Sequence, residues 1–432
     1  MLLRLATSVQ RRILLAVAFL IAGFLSYSSV RNAMAIHYAG LQTPDGYRRA
    51  ISLEPADSRN WYLLGRYWQY NLEDPDASRA IQSYLSALSL NPGSAEILCD
   101  LATAYESEGN LAAARDAFVR ARRAYPLSAE VSWRYGNFLL RQGELDSAFA
   151  EMRRAVAAEP KRGAEALSRA LRAQPDINAV LDRVLPPVSE SYFDAIRDQT
   201  AEGHIDNALK IWDRLASIHP RLPLQDCFGL VAALVQTKRI AEAHRIWDQA
   251  VGLAGLADLP APANSVLWDG GFESGVVNGS FSWLIPEAFR GVQIGIDSQE
   301  KHSGNHSLRL MFDGKSNLNF NGICHYVPVQ PSTRYLFSAW VRTKALTTDQ
   351  GIRFQLHSIG TQDSPITVTA DVHGTEPWTR IEAPWSSSSA AQELQVCLVR
   401  LPSDQAENSR IQGIAWVDDV ALVPQPAERS KP

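Results

Sequence analysis

The sequence predicts a multidomain chain: one N-terminal transmembrane helix, an all-α solenoid of helical repeats, and an all-β sandwich. Three observations carry this reading. Ile13 to Val30 is a stretch of 18 residues without a charge. Between Tyr47 and Pro160 the same residue types return every 34 positions. From about residue 265 the helical period gives way to short alternating segments separated by Gly, Pro, Asn and Ser. The boundaries that follow are 1–35 for a cytoplasmic tip and membrane anchor or signal peptide, 36–251 for the repeats, 252–264 for a linker, 265–424 for the sandwich and 425–432 for a disordered tail.

Composition sets the frame. The chain has 432 residues, 46% hydrophobic and 20% charged, with a net charge of −4. That excludes a mostly disordered chain and a multi-span membrane protein. It also argues against a nucleic-acid partner, which would demand a basic field. Four cysteines exclude a disulfide scaffold. Charge is segregated: the first thirty residues hold three basic and no acidic residues, whereas 264–432 hold 13 basic and 17 acidic.

The apolar stretch comes first. As a helix rising about 1.5 Å per residue it is long enough for the hydrocarbon core of roughly 30 Å. Arg4, Arg11 and Arg12 precede it, and positive charge stays cytoplasmic. This predicts a single-pass protein of the inner (cytoplasmic) membrane with its bulk periplasmic or extracellular. The alternative is a secreted chain: Ala33-Met34-Ala35 has the form of a signal-cleavage site. Either way the rest of the chain is exported.

The repeats come next. Pro92, Pro126 and Pro160 are 34 apart, as are Ala87, Ala121 and Ala155, and Gly109 and Gly143. Trp61-x-x-Leu64-Gly65-x-x-Trp68 opens one repeat; Leu101, Ala102, Tyr105, Ala114, Phe118 and Ala121 fill the next. The period and these residues resemble the tetratricopeptide repeat family. The resemblance implies pairs of antiparallel helices, with small residues where axes approach and a proline ending each second helix. Gly109 and Gly143 fit tight turns that want a positive φ. Beyond Pro160 the pattern decays, through Tyr192, Gly203, Ala208 and Trp212, to Ala243, Trp247 and Ala250. Five or six helix pairs are expected, enough to share a continuous core.

Such an array lines a groove with the first helix of each repeat. The family register places Arg59, Tyr62, Arg66, Gln69 and Tyr70 there, then Glu96, Cys99, Thr103 and Glu106, then Glu130, Trp133, Asn137 and Arg141. This lining is mixed in charge with exposed aromatics, and it predicts a protein partner.

The last region reads as strands at Ser307–Phe312, Ile323–Val329, Tyr335–Thr343, Ile352–His357, Ile366–Val372, Leu394–Leu401 and Ala415–Val423. It carries Asp269-Gly270-Gly271-Phe272-Glu273, Trp283, His302-Ser303-Gly304-Asn305-His306, Ser338-Ala339-Trp340-Val341-Arg342 and Trp416-Val417-Asp418-Asp419. In that order and spacing they resemble galactose-binding-like jelly rolls, in particular carbohydrate-binding modules of xylanases and cellulases. The resemblance implies a structural calcium held by Glu273 with Asp418 or Asp419, no cofactor being otherwise required. It also implies polysaccharide binding, for which Trp283, Trp340, Trp378 and Trp385 supply rings and Arg342, Gln355 and His357 supply polar groups.

Cys324 and Cys397 both fall in expected strands, and an exported compartment permits a disulfide between them. Cys99 and Cys227 read as buried thiols. No metal-protease, phosphate-loop or nucleophile-elbow motif occurs. His302 and His306 flank a turn, and Asp418-Asp419 point to opposite faces of a strand. The sequence therefore predicts no enzyme but a membrane-tethered scaffold in surface polysaccharide assembly or export. Its alternatives are a purely protein-binding envelope component and a polysaccharide-processing enzyme with a binding module.

Overall fold

The computed structural model describes residues 8–360 and 365–426. Arg4 at the tip and residues 427–432 of the tail lie outside that range. The chain forms two compact units, Met1–Asp194 and Ala195–Pro432.

In the first unit α1 runs without a break over Ser8–Gly40. Its apolar half is exposed along its whole length, while Ala35 near its end is buried. Arg31 reaches Glu54 at 2.9 Å, at the end of α2 (Pro44–Leu53). The C-terminal part of α1 is thus the first helix of a pair. The following pairs are α3 (Ser58–Tyr70) with α4 (Ala77–Leu90), α5 (Ala95–Ser107) with α6 (Leu111–Ala124), and α7 (Ala129–Arg141) with α8 (Leu145–Ala158). The divergent α9 (Gly163–Ala173) and α10 (Ile177–Val184) complete the set.

Local chemistry explains the boundaries. Asp57, Asp76, Ser94, Asn110 and Ser128 each accept an N–H of the first helical turn, satisfying donors that have no partner within the helix. Pro92 and Pro126 follow the last residues of α4 and α6, where an N–H is no longer available to extend the helix. Gly109 and Gly143 take φ of 75° and 76° in the turns between paired helices. Ala80, Ala87, Ala114, Ala121, Ala148 and Ala155 are fully buried at the crossings.

The second unit holds α12 (Ile205–Ser217), α13 (Phe228–Gln236) and α14 (Ile240–Leu253), followed by the sandwich; α11 (Ser189–Ala201) precedes them and contains the division between the units. With the pair α13–α14, six pairs of consecutive helices are in contact among the described residues, in keeping with the expected five or six, and α1 supplies a helix to the first.

Among the described residues nine strands form two antiparallel sheets: β1 (Val292–Asp297), β2 (Ser307–Asp313), β9 (Gln412–Pro424), β4 (Arg334–Leu346) and β7 (Gly374–Ser386) in one, in that order, and β3 (Phe320–Pro328), β8 (Glu393–Arg400), β5 (Arg353–Ile359) and β6 (Thr367–Val368) in the other. Tyr335, Phe337, Ala339 and Val341 point inward as their alternation requires, and pack with Phe354, Leu356 and Val396 of the facing sheet. Strands β1 and β7, unanticipated from the sequence, both lie at sheet edges. There Pro377 and Pro384 of β7 leave no central ladder bond unmade. Cys324 and Cys397 stand directly opposite in β3 and β8 and are bonded.

Composition marks 252–264 as a linker, but the compact unit runs across it. Trp247 of α14 packs edge-on against Trp268 at 5.4 Å and Phe281 at 6.1 Å. A Cβ on Gly279 would lie 2.5 Å from the Trp247 ring, so only glycine admits this approach. The last helix of the repeats therefore packs directly on the segment that leads into the sandwich.

Close approach also governs the array. A Cβ on Gly65 would lie 2.6 Å from the Tyr84 ring, whereas one on Gly93 meets nothing within 4 Å. Gly65→Ala should cost about 1–3 kcal/mol despite the better helix propensity of alanine. Gly93→Ala should stay within about 0.5 kcal/mol. Urea unfolding followed by far-UV circular dichroism checks both, and equal midpoints would contradict the packing described.

Candidate binding surfaces

The groove of the first unit is built from α3, α5, α7 and α9. Its floor is one carboxylate. Asp100 is 4% exposed and accepts a hydrogen bond from the Tyr62 hydroxyl at 2.8 Å. Arg134 donates to its other oxygen at 2.7 Å and to Thr103 Oγ1 at 3.1 Å. Arg66 lies 4.0 Å away on the opposite side. The Tyr62 hydroxyl also reaches Glu96 at 2.8 Å. Burial and these two carboxylates push the Tyr62 hydroxyl above the ordinary tyrosine range, so it remains a proton donor. Burial opposes the charge on Arg134, but Asp100 outweighs it and keeps the guanidinium protonated.

Around this floor lies a cleft of about 560 Å³. Of the residues predicted for the groove, Tyr62, Arg66, Tyr70, Glu96, Thr103, Glu130, Trp133, Asn137 and Arg141 line it; Arg59, Gln69, Cys99 and Glu106 do not. Gln69 instead accepts from the Tyr84 hydroxyl at 2.6 Å, and Glu106 holds Arg141 through two bonds of 2.8 and 2.7 Å. The expectation of exposed aromatics needs correction. Tyr62 and Trp133 are each 8% exposed, and Tyr70 alone of the three stands out at 52%. Trp133 is covered by the guanidinium groups of Arg162 and Arg169, 5.4 and 4.9 Å from its ring centre. Beneath the floor, burial pushes the Cys99 thiol up to about 12, which makes it a packing group rather than a nucleophile.

Asp100, Arg134 and Arg169 were missed from sequence. The signal for two of them is present: Arg66, Asp100 and Arg134 occupy one repeat position at 34-residue spacing, and their charges alternate. Opposite charges at one position of successive repeats meet in a ladder when the repeats stack.

In the second unit the predicted sugar-binding residues separate. Trp283 and Trp385 are core, 3% and 5% exposed. Trp283 stacks on Phe272 and donates its indole N–H to the Asp269 carbonyl at 3.1 Å. Trp340, Trp378 and Arg342 lie on the five-stranded sheet, whereas Gln355 and His357 lie on the four-stranded one. These residues therefore do not form one site. The Trp340 face carries the His302 imidazole, stacked at 3.9 Å, with Trp378 edge-on to it at 5.8 Å. Arg342 is paired with Glu300 at 2.8 Å.

Glu273, Asp418 and Asp419 do converge, on the loop from His302 to His306, but as acceptors of hydrogen bonds. Glu273 takes the N–H of Asn305 at 2.6 Å and of His306 at 3.2 Å. Asp418 takes those of His302 at 2.7 Å and Ser303 at 3.1 Å, and its second oxygen takes that of Asp419. Asp419 holds His302 Nδ1 at 2.6 Å. Burial opposes ionisation of Glu273, yet the donors of Asn305 and His306 hold it below the usual carboxylate range. Burial pushes Asp418 up to about 6 despite its donors. Calcium needs six to eight free oxygens. Here the oxygens of Glu273 and Asp418 face hydrogens, and no group of three His, Cys, Asp or Glu among the described residues is arranged to hold a metal. The three acids fit a loop clamp and do not fit the implied calcium.

The arrangement defines a helical-repeat array with a polar groove, followed by a β-sandwich of jelly-roll type. Residues 99–162 match the tetratricopeptide repeat family. No curated protein matches the chain. Among solved structures it is similar to YrrB, a tetratricopeptide repeat protein with an unusual peptide-binding site, at 17% identity, TM-score 0.26, covering 49% of this chain and 94% of that one. It is also similar to the CBM22-1 xylan-binding domain of Paenibacillus barcinonensis Xyn10C, at 18% identity, TM-score 0.28, covering 39% and 99%. A family 16 carbohydrate-binding module is similar at 17% identity, TM-score 0.26, covering 37% and 99%.

Replacing Asp100 by Ala strands Arg134 without a counter-charge. The expected loss is about 3 kcal/mol, measured by urea unfolding. Adding Arg134→Met should restore part of it; strictly additive losses would show that the pair is not coupled.

Proposed function

We propose that the chain is a non-catalytic scaffold, tethered to the inner (cytoplasmic) membrane by α1, that holds a protein partner in the groove of its repeats. The cleft over Asp100 carries this reading. Its floor is fixed by hydrogen bonds, while Arg66, Tyr70 and Arg141 are each about half exposed at its surface. Pre-ordered arginine and tyrosine side chains supply contact area and directional bonds at small entropy cost. The sandwich is the second binding module, for an envelope or secreted polysaccharide, and the process we favour is assembly or export of surface polysaccharide. A second reading, in which both units bind proteins, draws support from the burial of Trp283 and Trp385.

Retention of α1 is favoured over cleavage. The segment beyond the apolar stretch is part of the array, with Ala35 buried and Arg31 paired to Glu54, so cleavage after Ala35 would remove most of the helix that packs on α2.

Two outcomes are expected. Crosslinked pull-down with the double variant Arg66→Glu, Arg141→Glu should recover its partner about tenfold less well than the parent chain, and equal recovery would place the interface elsewhere. Cell fractionation should leave the full-length chain in alkali-washed membranes; a soluble form starting at Ile36 would refute the tether.

A further inference from the structure

The predicted sugar-binding residues do not all assemble on one sheet face, and the second unit contains another concave surface. A cleft of about 940 Å³ opens between the start of α14 and the end of the sandwich where β3 turns into β4. This is within the range of about 300–1,000 Å³ typical of ligand sites.

Its lining is chemically selective. Trp268 is half-buried there. Its ring is braced edge-on by Trp247 at 5.4 Å, and its carbonyl is 3.0 Å from His325 Nε2. Pro331 and Val266 add apolar surface, and the exposed side chains of Gln330 and Gln392 supply amide donors and acceptors. Most lining charges are neutralised from within, and the buried carboxylate of Asp269 is taken up by the N–H groups of Glu273 and Ser274. Arg239 is bonded to Glu242 and, at 2.8 Å, to Asp206, while His244 is 3.1 Å from Asp248. Lys238 is the lining cation without a carboxylate at ion-pair distance among the described residues.

A fixed aromatic surface, flexible amides and a nearly self-neutralised rim suit a ligand with apolar C–H faces and many hydroxyls but no charge. A cationic ligand would have to displace internal ion pairs to reach a carboxylate, and an anionic one would find a single unpaired cation, Lys238, at the edge of the lining. We propose that this cleft binds a short neutral oligosaccharide segment, with Trp268 as the stacking surface and Gln330 and Gln392 as partners for hydroxyls. The proposal rests on the reading of the sandwich as a polysaccharide-binding module, and moves the site from the sheet faces to the helix junction.

The test is calorimetric titration of the full chain in detergent with xylohexaose, cellohexaose and mannohexaose. Binding of at least one is expected. Trp268→Ala should then weaken it at least about tenfold, and Trp340→Ala should leave it unchanged. Because Trp268 also packs on Trp247, the exposed Gln392→Ala is the companion variant; it should weaken binding about threefold with an unchanged melting temperature. Loss of binding in Trp340→Ala alone would overturn the cleft and leave the module's glycan role standing. Binding of none of the three sugars would overturn the neutral-glycan cleft; if the chain also fails to be retained by any envelope polysaccharide gel, the role of the module falls with it.

Discussion

A pair of α-helices cannot bury its apolar side by itself, and this constraint organises the chain. Each pair needs a neighbour, and the neighbour must come close enough for side chains to interlock at crystal-like density. Where Gly65 faces Tyr84, the missing Cβ is what lets the ring fill the gap. The last pair meets the same need differently. Trp247 of α14 packs against Trp268 and Phe281 over Gly279, so the sandwich supplies the surface that a further repeat would otherwise provide. A repeat array and a sheet domain follow one another in sequence, yet the helices at the boundary fall in one compact unit with the second.

Most of the fold was legible because packing repeats itself in the text. The 34-residue spacing of prolines and alanines set the helix pairs, and alternation along β4 set which residues face inward. Three strands gave weak or misleading signals: β1 and β7 escaped notice, and β6 is only Thr367–Val368 where Ile366–Val372 was expected. All three lie at sheet edges, where burial on one side is incomplete and proline is tolerated, so the period of two is diluted. The linker, irregular over 254–264, hides the packing on either side of it for another reason. Its Gly and Pro content describes its own backbone, whereas the join is made by Trp247 and Gly279, which flank it.

The binding surfaces were only partly legible. A family register gives the direction of a side chain but not its partner. It placed nine of its candidates around the cleft and omitted the carboxylate that holds them. In the sandwich, tryptophan is ambiguous by nature: the same ring that stacks on a ligand also fills a core. Trp283 and Trp385 took the second role because their strands and loops point them inward. A carboxylate beside a loop can serve main-chain N–H groups as Glu273 and Asp418 do, and their spacing alone does not distinguish that role from metal ligation.

The continuity of α1 has a mechanical consequence. Ser8–Gly40 contains no proline and no break, and its last turns are already locked to α2. A helix of this kind transmits rotation and tilt from one end to the other instead of absorbing them in a swivel. For a chain held in a bilayer, the azimuth of the first repeats would then be dictated by which side of the helix faces its lipid or protein neighbours. A partner confined to the same membrane would search in two dimensions for a groove of defined heading, rather than for one that tumbles on a leash.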